Sequence, residues 1–296
     1  MRQEQLELRA QLDRLLSQEE AKWKQRGKIK EILQGDSNTK YLHAKANGRR
    51  RKNMITALNQ AEGLITEEKE IVDYITNFYK NLFGQPDCNS IVLQIENPEL
   101  VPNSDIGKLT EPFTEKEVKE VVFKMAHNKS PGPDGFNVEF YQHFWELIKT
   151  DLMNLFEDFH NGKLNISRLN YGVITLIPKM QGADQIQKFR PICLLNVSFK
   201  IFTKVLMNRL VGVADKIILP TQTAFIKGRV IMDGVLILHE ALNSIHVEKS
   251  NALIFKVDFE KTYDKIKWAF VLQRMRLKGF PENGLIGLCK QLEEAR

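Results

Sequence analysis

Residues 128–136 read NKSPGPDGF. Pro131 and Pro133 fix their own backbone angles and lack an N–H, and Gly132 and Gly135 weaken any regular element. No helix and no central strand can run through this stretch. It must be a rigid loop, with separate elements on either side. Upstream, Thr114 and Glu117 stand at capping-box spacing. Val118, Val121, Val122 and Met125 follow on one helical face, which predicts a helix that stops at the loop. Downstream, Phe140, Phe144, Leu147, Ile148, Leu152, Leu155, Phe156 and Phe159 predict one long helix over 138–160, ending near Gly162.

The remaining chain is read the same way. Leucines at 8, 12, 15 and 16 with Trp23 predict an amphipathic helix over 6–24. Apolar residues at 71, 72, 75, 78, 79 and 82 predict a helix from Thr66 to Gly84. Residues 85–113 hold four of the ten prolines and show no period, so they are expected to be a linker. YGVITLIPK (171–179) and FRPICLLN (189–196) read as strands across a Gly-containing turn, a candidate hairpin. Helices are expected over 199–218 and 230–246, then a strand over 251–259, then a helix closing at Gly279. Segregated helices with few strands give an α+β class. The expected organisation is a helical basic region (1–84), the Pro-containing linker (85–113) and a folded domain (114–296).

Charge is unevenly placed. From Lys22 to Lys52 eleven cations face only Glu31 and Asp36, while the whole chain carries +6. The remainder is therefore net acidic, and the basic character is local, as a polyanion-binding surface requires. Trp23, Tyr41 and His43 interleave with those cations, the mixture that suits phosphates and stacked bases. A solvated basic helix or an import patch is the alternative. Three scattered cysteines form neither a disulfide framework nor a zinc pattern. No apolar run is long enough to span a bilayer, and the first residues lack a secretory apolar region, so an intracellular protein without membrane partners is expected. Dinucleotide, P-loop, zincin, nucleophile-elbow and deaminase patterns are absent.

Three places remain for chemistry. Asp258 ends the apolar run LIFKVD. It reads first as an N-cap for the next helix, and alternatively as an oxygen ligand for a hard divalent ion. Lys179 and Arg190 sit at the facing ends of the candidate hairpin. Singly each is a surface cation; together they suit a triphosphate, which Arg grips with a planar fork. In QTAFIKGR, Gln222, Gly228 and Arg229 would allow contact with a phosphate backbone.

In order, the pieces NKSPGPDGF, LIPK, KFRPICLLNVSFKIFTKVLMNRL, LPTQTAFIKGR and FKVDFEKTYDKIKW closely resemble the reverse transcriptase domain of LINE-type, non-long-terminal-repeat retrotransposons. The basic GDSNTKYLHAKANGRRRKNMITAL resembles the segment that precedes it in plant forms. The resemblance spans about residues 20–285. It implies a right-hand polymerase, with fingers and a partial palm, that acts as an RNA-directed DNA polymerase on an RNA template, a DNA primer and deoxynucleoside triphosphates. It implies Asp258 as a ligand of catalytic Mg²⁺. Lys179 and Arg190 fall on the triphosphate contacts, Phe259 has its backbone beside the triphosphate, and Tyr263 falls on the steric gate against a ribose 2′-hydroxyl. Gln222, Gly228 and Arg229 fall near the template. The family's paired-aspartate motif does not occur in these residues, and one carboxylate cannot hold two ions. The expectation is a truncated domain without polymerase activity. The alternative is a nucleic-acid-binding remnant that uses Arg49, Arg50, Arg51 and Lys52.

Overall fold

The computed structural model describes residues 2–27, 39–61, 63–84, 100–127, 129–257, 266–287 and 289. It is mixed: helices dominate, with two two-stranded sheets among the described residues. Two compact units are formed, Met1–Asn77 with Ile174–Cys193, and Phe78–Val173 with Leu194–Arg296.

In the first unit, α1 (Arg2–Gly27) and α2 (Thr39–Asn53) pack together. The rings of Trp23 of α1 and His43 of α2 meet with centroids 3.9 Å apart and planes tilted by 47°. Leu42 and Ala46 are buried, so α2 has one closed face. The leucines of α1 instead lie exposed. A tight antiparallel hairpin follows, β1 (Leu58–Gln60) and β2 (Gly63–Ile65), with Leu58 opposite Ile65. α3 (Glu68–Phe83), whose first residues belong to this unit, fills the predicted helix up to Gly84, whose N–H bonds back to Lys80. β3 (Gly172–Pro178) and β4 (Phe189–Leu195) pair as the expected hairpin. Phe189 and Leu176 pack with Leu58 and Ile71 in the small core of this unit.

The second unit is helical. Its described helices are α4 (Asn103–Thr110), α5 (Glu115–Lys124), α6 (Val138–His143), α7 (Trp145–His160), α8 (Ile166–Leu169), α9 (Val197–Ile217), α10 (Ile231–Val247) and α11 (Trp268–Leu277). Thr114 caps α5 as its spacing predicts: its side chain accepts the Glu117 N–H at 3.3 Å. The main core gathers Val118, Val121 and Val122 of α5 with Trp145, Leu152, Phe156 and Phe159 of α7 around Phe202 and Val205 of α9. Each such side chain contributes about 1.5–3 kcal/mol on burial. A second core joins Leu109, Val213, Ile217, Leu272 and Phe280.

Three expectations are corrected. The single helix over 138–160 is two, broken at Phe144 (φ −99°, ψ 24°). The break turns Phe144 (42% exposed) and Leu147 (75%) outward and puts Trp145 (2%) in the core instead. The strand over 251–259 is not formed at 251–257, where Leu253, Phe255 and Val257 are exposed. β3 and β4 pair with each other, and a strand without a partner leaves its backbone groups unpaired. Residues 258–259 lie outside the described residues. Within the stretch expected as a linker, α4 is an ordered helix whose Asp105 and Leu109 are buried.

Candidate nucleotide and nucleic-acid interface

The β3–β4 hairpin brings Lys179 and Arg190 close along the backbone. Lys179 N–H donates to the Lys188 carbonyl at 2.8 Å, two residues before Arg190. Strand alternation sends Phe189 into the core and Arg190 outward. Both cations are exposed. Lys179 Nζ donates to the Gln187 carbonyl at 2.8 Å, and Arg190 has no ion-pair partner among the described residues. The turn is braced from below: the Asn59 N–H reaches the Asp184 carbonyl at 2.6 Å, and Lys188 pairs with Asp184 at 2.6 Å. The Lys188 hydrogen bond holds the Asp184 carboxyl below its ordinary value. The braced hairpin thus presents two exposed cations near one another along the backbone.

The SPGPDG loop is neither helix nor strand, as its composition predicts, and its anchor is a residue that sequence reasoning missed. Asn196 sits at the N-cap of α9, yet its side chain makes no cap hydrogen bond. Its Oδ1 accepts the Asp134 N–H at 3.2 Å instead. Asp134 Oδ1 accepts the Phe136 N–H at 3.0 Å, and the Gly135 N–H returns to the Gly132 carbonyl at 3.1 Å. A Cβ on Gly132 would overlap the backbone of Leu195 and Asn196. Lys200 Nζ reaches the Ser130 carbonyl at 3.4 Å. The only sequence signal for this anchor was an Asn at a strand-to-helix junction.

In the QTAFIKGR loop, Arg229 is half-buried and turned inward. Its guanidinium donates to the carbonyls of Leu219 (2.6 Å), Gln222 (2.8 Å), Ile218 (2.9 Å) and Asp215 (3.4 Å). Its Nε lies 3.4 Å from the Asp215 carboxylate. Asp215 and Ile218 lie at the C-terminal end of α9, where unpaired carbonyls collect and a cation is favoured, and Leu219 and Gln222 lie in the turn after it. Gln222 Nε2 donates to the Ala224 carbonyl at 3.1 Å. Gly228 takes φ 89°, which suits a residue without a Cβ. Phe225 at the loop tip takes φ 66° and is 97% exposed.

Arg50, Arg51 and Lys52 form the last turn of α2, all exposed, with Arg49 half-buried beside them. Cations at a helix C-terminus are favoured by its dipole, so the sequence can concentrate charge there at little cost to the helix. Asp258, Phe259 and Tyr263 lie outside the described residues. Among the described residues no group of three or more His, Cys, Asp or Glu side chains could hold a metal ion. No helix among them is long and apolar enough to cross a membrane.

Residues 177–294 match the family described as reverse transcriptase (RNA-dependent DNA polymerase). That range begins inside β3 and takes in Lys179, Arg190, the QTAFIKGR loop and Asp258. This part of the chain is similar to reverse transcriptases, and the relatives that the chain resembles are named as proteins of transposable elements. It is 28% identical over 262 residues to the "Transposon TX1 uncharacterized 149 kDa protein" of Xenopus laevis, covering 86% of this chain and 20% of that protein. It is 26% identical over 178 residues to the "Retrovirus-related Pol polyprotein from type-1 retrotransposable element R2" of Nasonia vitripennis, covering 60% of this chain and 16% of that protein. The chain thus spans at most about a fifth of the length of these relatives. Reverse transcriptases as a family act on nucleic acid templates and nucleotides and generally use divalent metal ions.

Proposed function

We propose that this chain is part of an RNA-directed DNA polymerase of a LINE-type retroelement, with the fingers and part of the palm of a right-hand polymerase. The observation that carries the reading is the family match over 177–294 together with two exposed cations brought close by the β3–β4 hairpin. In the reaction, the primer 3′-oxygen attacks the α-phosphorus of a deoxynucleoside triphosphate, and the bond to the leaving pyrophosphate breaks. Lys179 and Arg190 hold the triphosphate and meet the charge that builds on the pyrophosphate. Phe259 places its backbone beside the triphosphate, and Tyr263 excludes a 2′-hydroxyl. Gln222 and Gly228 face the template, while Arg229 holds that loop in shape. Asp258 is the oxygen ligand offered to a divalent ion, Mg²⁺, which when bound supplies positive charge to the triphosphate.

The test is a gel-shift assay of the chain on an RNA template annealed to a DNA primer, in Mg²⁺. The next complementary deoxynucleoside triphosphate is expected to stabilise the complex, and a mismatched one is not. Asp258→Ala and Lys179→Ala should each remove that stabilisation. Equal effects of matched and mismatched nucleotides would contradict the proposal.

A second reading is favoured by the cation-rich segment 22–52: a nucleic-acid-binding module in its own right, without catalysis. Binding measured against salt should then give a steep negative slope, flattened when Arg49, Arg50, Arg51 and Lys52 become Ala. A flat slope in the parent chain would end that reading.

A further inference from the structure

We propose that the face of α2 running from Tyr41 to Lys52 is a track for single-stranded nucleic acid, and that Gly48 is left bare so that a sugar–phosphate backbone can lie against the helix. This inference rests on the second reading above and gives it a ligand class and a geometry. Tyr41, Lys45, Gly48 and Lys52 recur at i, i+4, i+7 and i+11, which places them on one helical face. The neighbouring side of the helix is closed by buried Leu42 and Ala46 and by the tilted contact of His43 with Trp23. Tyr41 is 48% exposed, and Lys45 and Lys52 are exposed. Lys45 Nζ lies over the Tyr41 ring, 5.9 Å from its centre, so cation and ring belong to one local surface.

Gly48 is the second observation. In a helix interior Gly is less favourable than Ala. Gly48 is half-buried, yet beyond its chain neighbours and the adjoining helix backbone no described heavy atom lies within 4 Å of where its Cβ would be. Its φ is not positive, so the backbone does not require Gly either. A bare position that neither packing nor backbone demands, on an exposed cationic face, fits close approach by a ligand backbone. Charge complementarity names that ligand. α2 carries six Lys and Arg and no acidic residue, which calls for a polyanion. The aromatic ring among the cations calls for bases whose faces are free, as they are in a single strand and not in a duplex.

The experiment is fluorescence anisotropy of the full chain with a labelled oligouridylate of about fifteen nucleotides, within the usual site size for such grooves. A duplex RNA of equal length and phosphatidylserine vesicles serve as competitors. Gly48→Ala is expected to raise the thermal midpoint and yet weaken binding, a pair of changes that a purely structural role would not produce. Tyr41→Leu should weaken binding about five-fold or more, the loss of one stacked base, while leaving the salt slope unchanged. Lys45→Ala should lower the slope by about one phosphate contact. Wild-type affinity in both Gly48→Ala and Tyr41→Leu overturns the track, as does stronger competition by duplex or vesicles than by unlabelled single strand. A steep parental slope with unaffected variants overturns the track alone; a flat parental slope overturns the second reading with it.

Discussion

Asp134 donates its backbone N–H to Asn196 Oδ1 at 3.2 Å across 62 residues of sequence. The contact fastens the SPGPDG loop to the start of α9, and Asn196 forgoes capping its own helix to make it. Removing the side chain with Asn196→Ala should cost about 1 kcal/mol, one hydrogen bond with an exposed donor. Gly132→Ala should cost more, about 1–3 kcal/mol, because the added Cβ meets backbone that must move. Urea unfolding of the two variants should rank them in that order, and limited proteolysis should open both first near residues 129–136.

Arg229 should behave as a structural clamp. Its guanidinium serves four carbonyls and one carboxylate at the end of α9. Arg229→Ala strands those carbonyls and should lower stability by about 2 kcal/mol or more, the scale of hydrogen bonds to charged groups. Arg229→Lys should recover little, because an ammonium cannot span the same fork. Thermal unfolding of both variants checks this; full recovery by Lys would show that only charge matters.

Asp105 gives the second unit an acid limit. It is buried on α4, its carboxylate hydrogen-bonded by Lys216 of α9, with Lys108 at 3.3 Å. The Lys216 hydrogen bond holds the Asp105 carboxyl below its ordinary value of 3.8, against an opposing effect of burial. A group whose pKa is lowered by folding stabilises above its unfolded value and loses that contribution as pH falls through the folded one. Stability should therefore decline as pH drops below about 4, the ordinary Asp range. Glu120, Glu146 and Asp184 are lowered in the same direction by Lys124, Lys149 and Lys188. Asp105→Asn should thus flatten the decline in part, and be less stable than the parent at neutral pH. Urea midpoints between pH 3 and 7 decide it.

Much of this was legible in the residues, and the failures have physical causes. The Thr114 cap, the stop at Gly84 and the β3–β4 hairpin rest on local chemistry, and the chain forms them, although the Glu117 carboxylate pairs with Arg209 instead of closing the capping box. The break at Phe144 was invisible because apolar spacing continues through it with neither Pro nor Gly. α4 spans barely two turns and buries one leucine, too little for a period to register. The apolar run at 251–257 has strand-like composition, but a strand needs a partner that composition cannot supply. At the candidate site, the proximity of Lys179 and Arg190 follows from the hairpin. The inward turn of Arg229 does not, because its acceptors lie seven to fourteen residues earlier and nothing local marks them.

The central claim is that a deoxynucleoside triphosphate sits on the β3–β4 hairpin, gripped by Lys179 and Arg190. Photo-crosslinking with an azido-deoxyuridine triphosphate in Mg²⁺, followed by mass-spectrometric mapping, tests it most directly. The account predicts adducts on peptides covering residues 179–190, displaced by unlabelled thymidine triphosphate and lost when Lys179 and Arg190 are both changed to Ala. Adducts confined to other peptides, or labelling unchanged in that double variant, would contradict it.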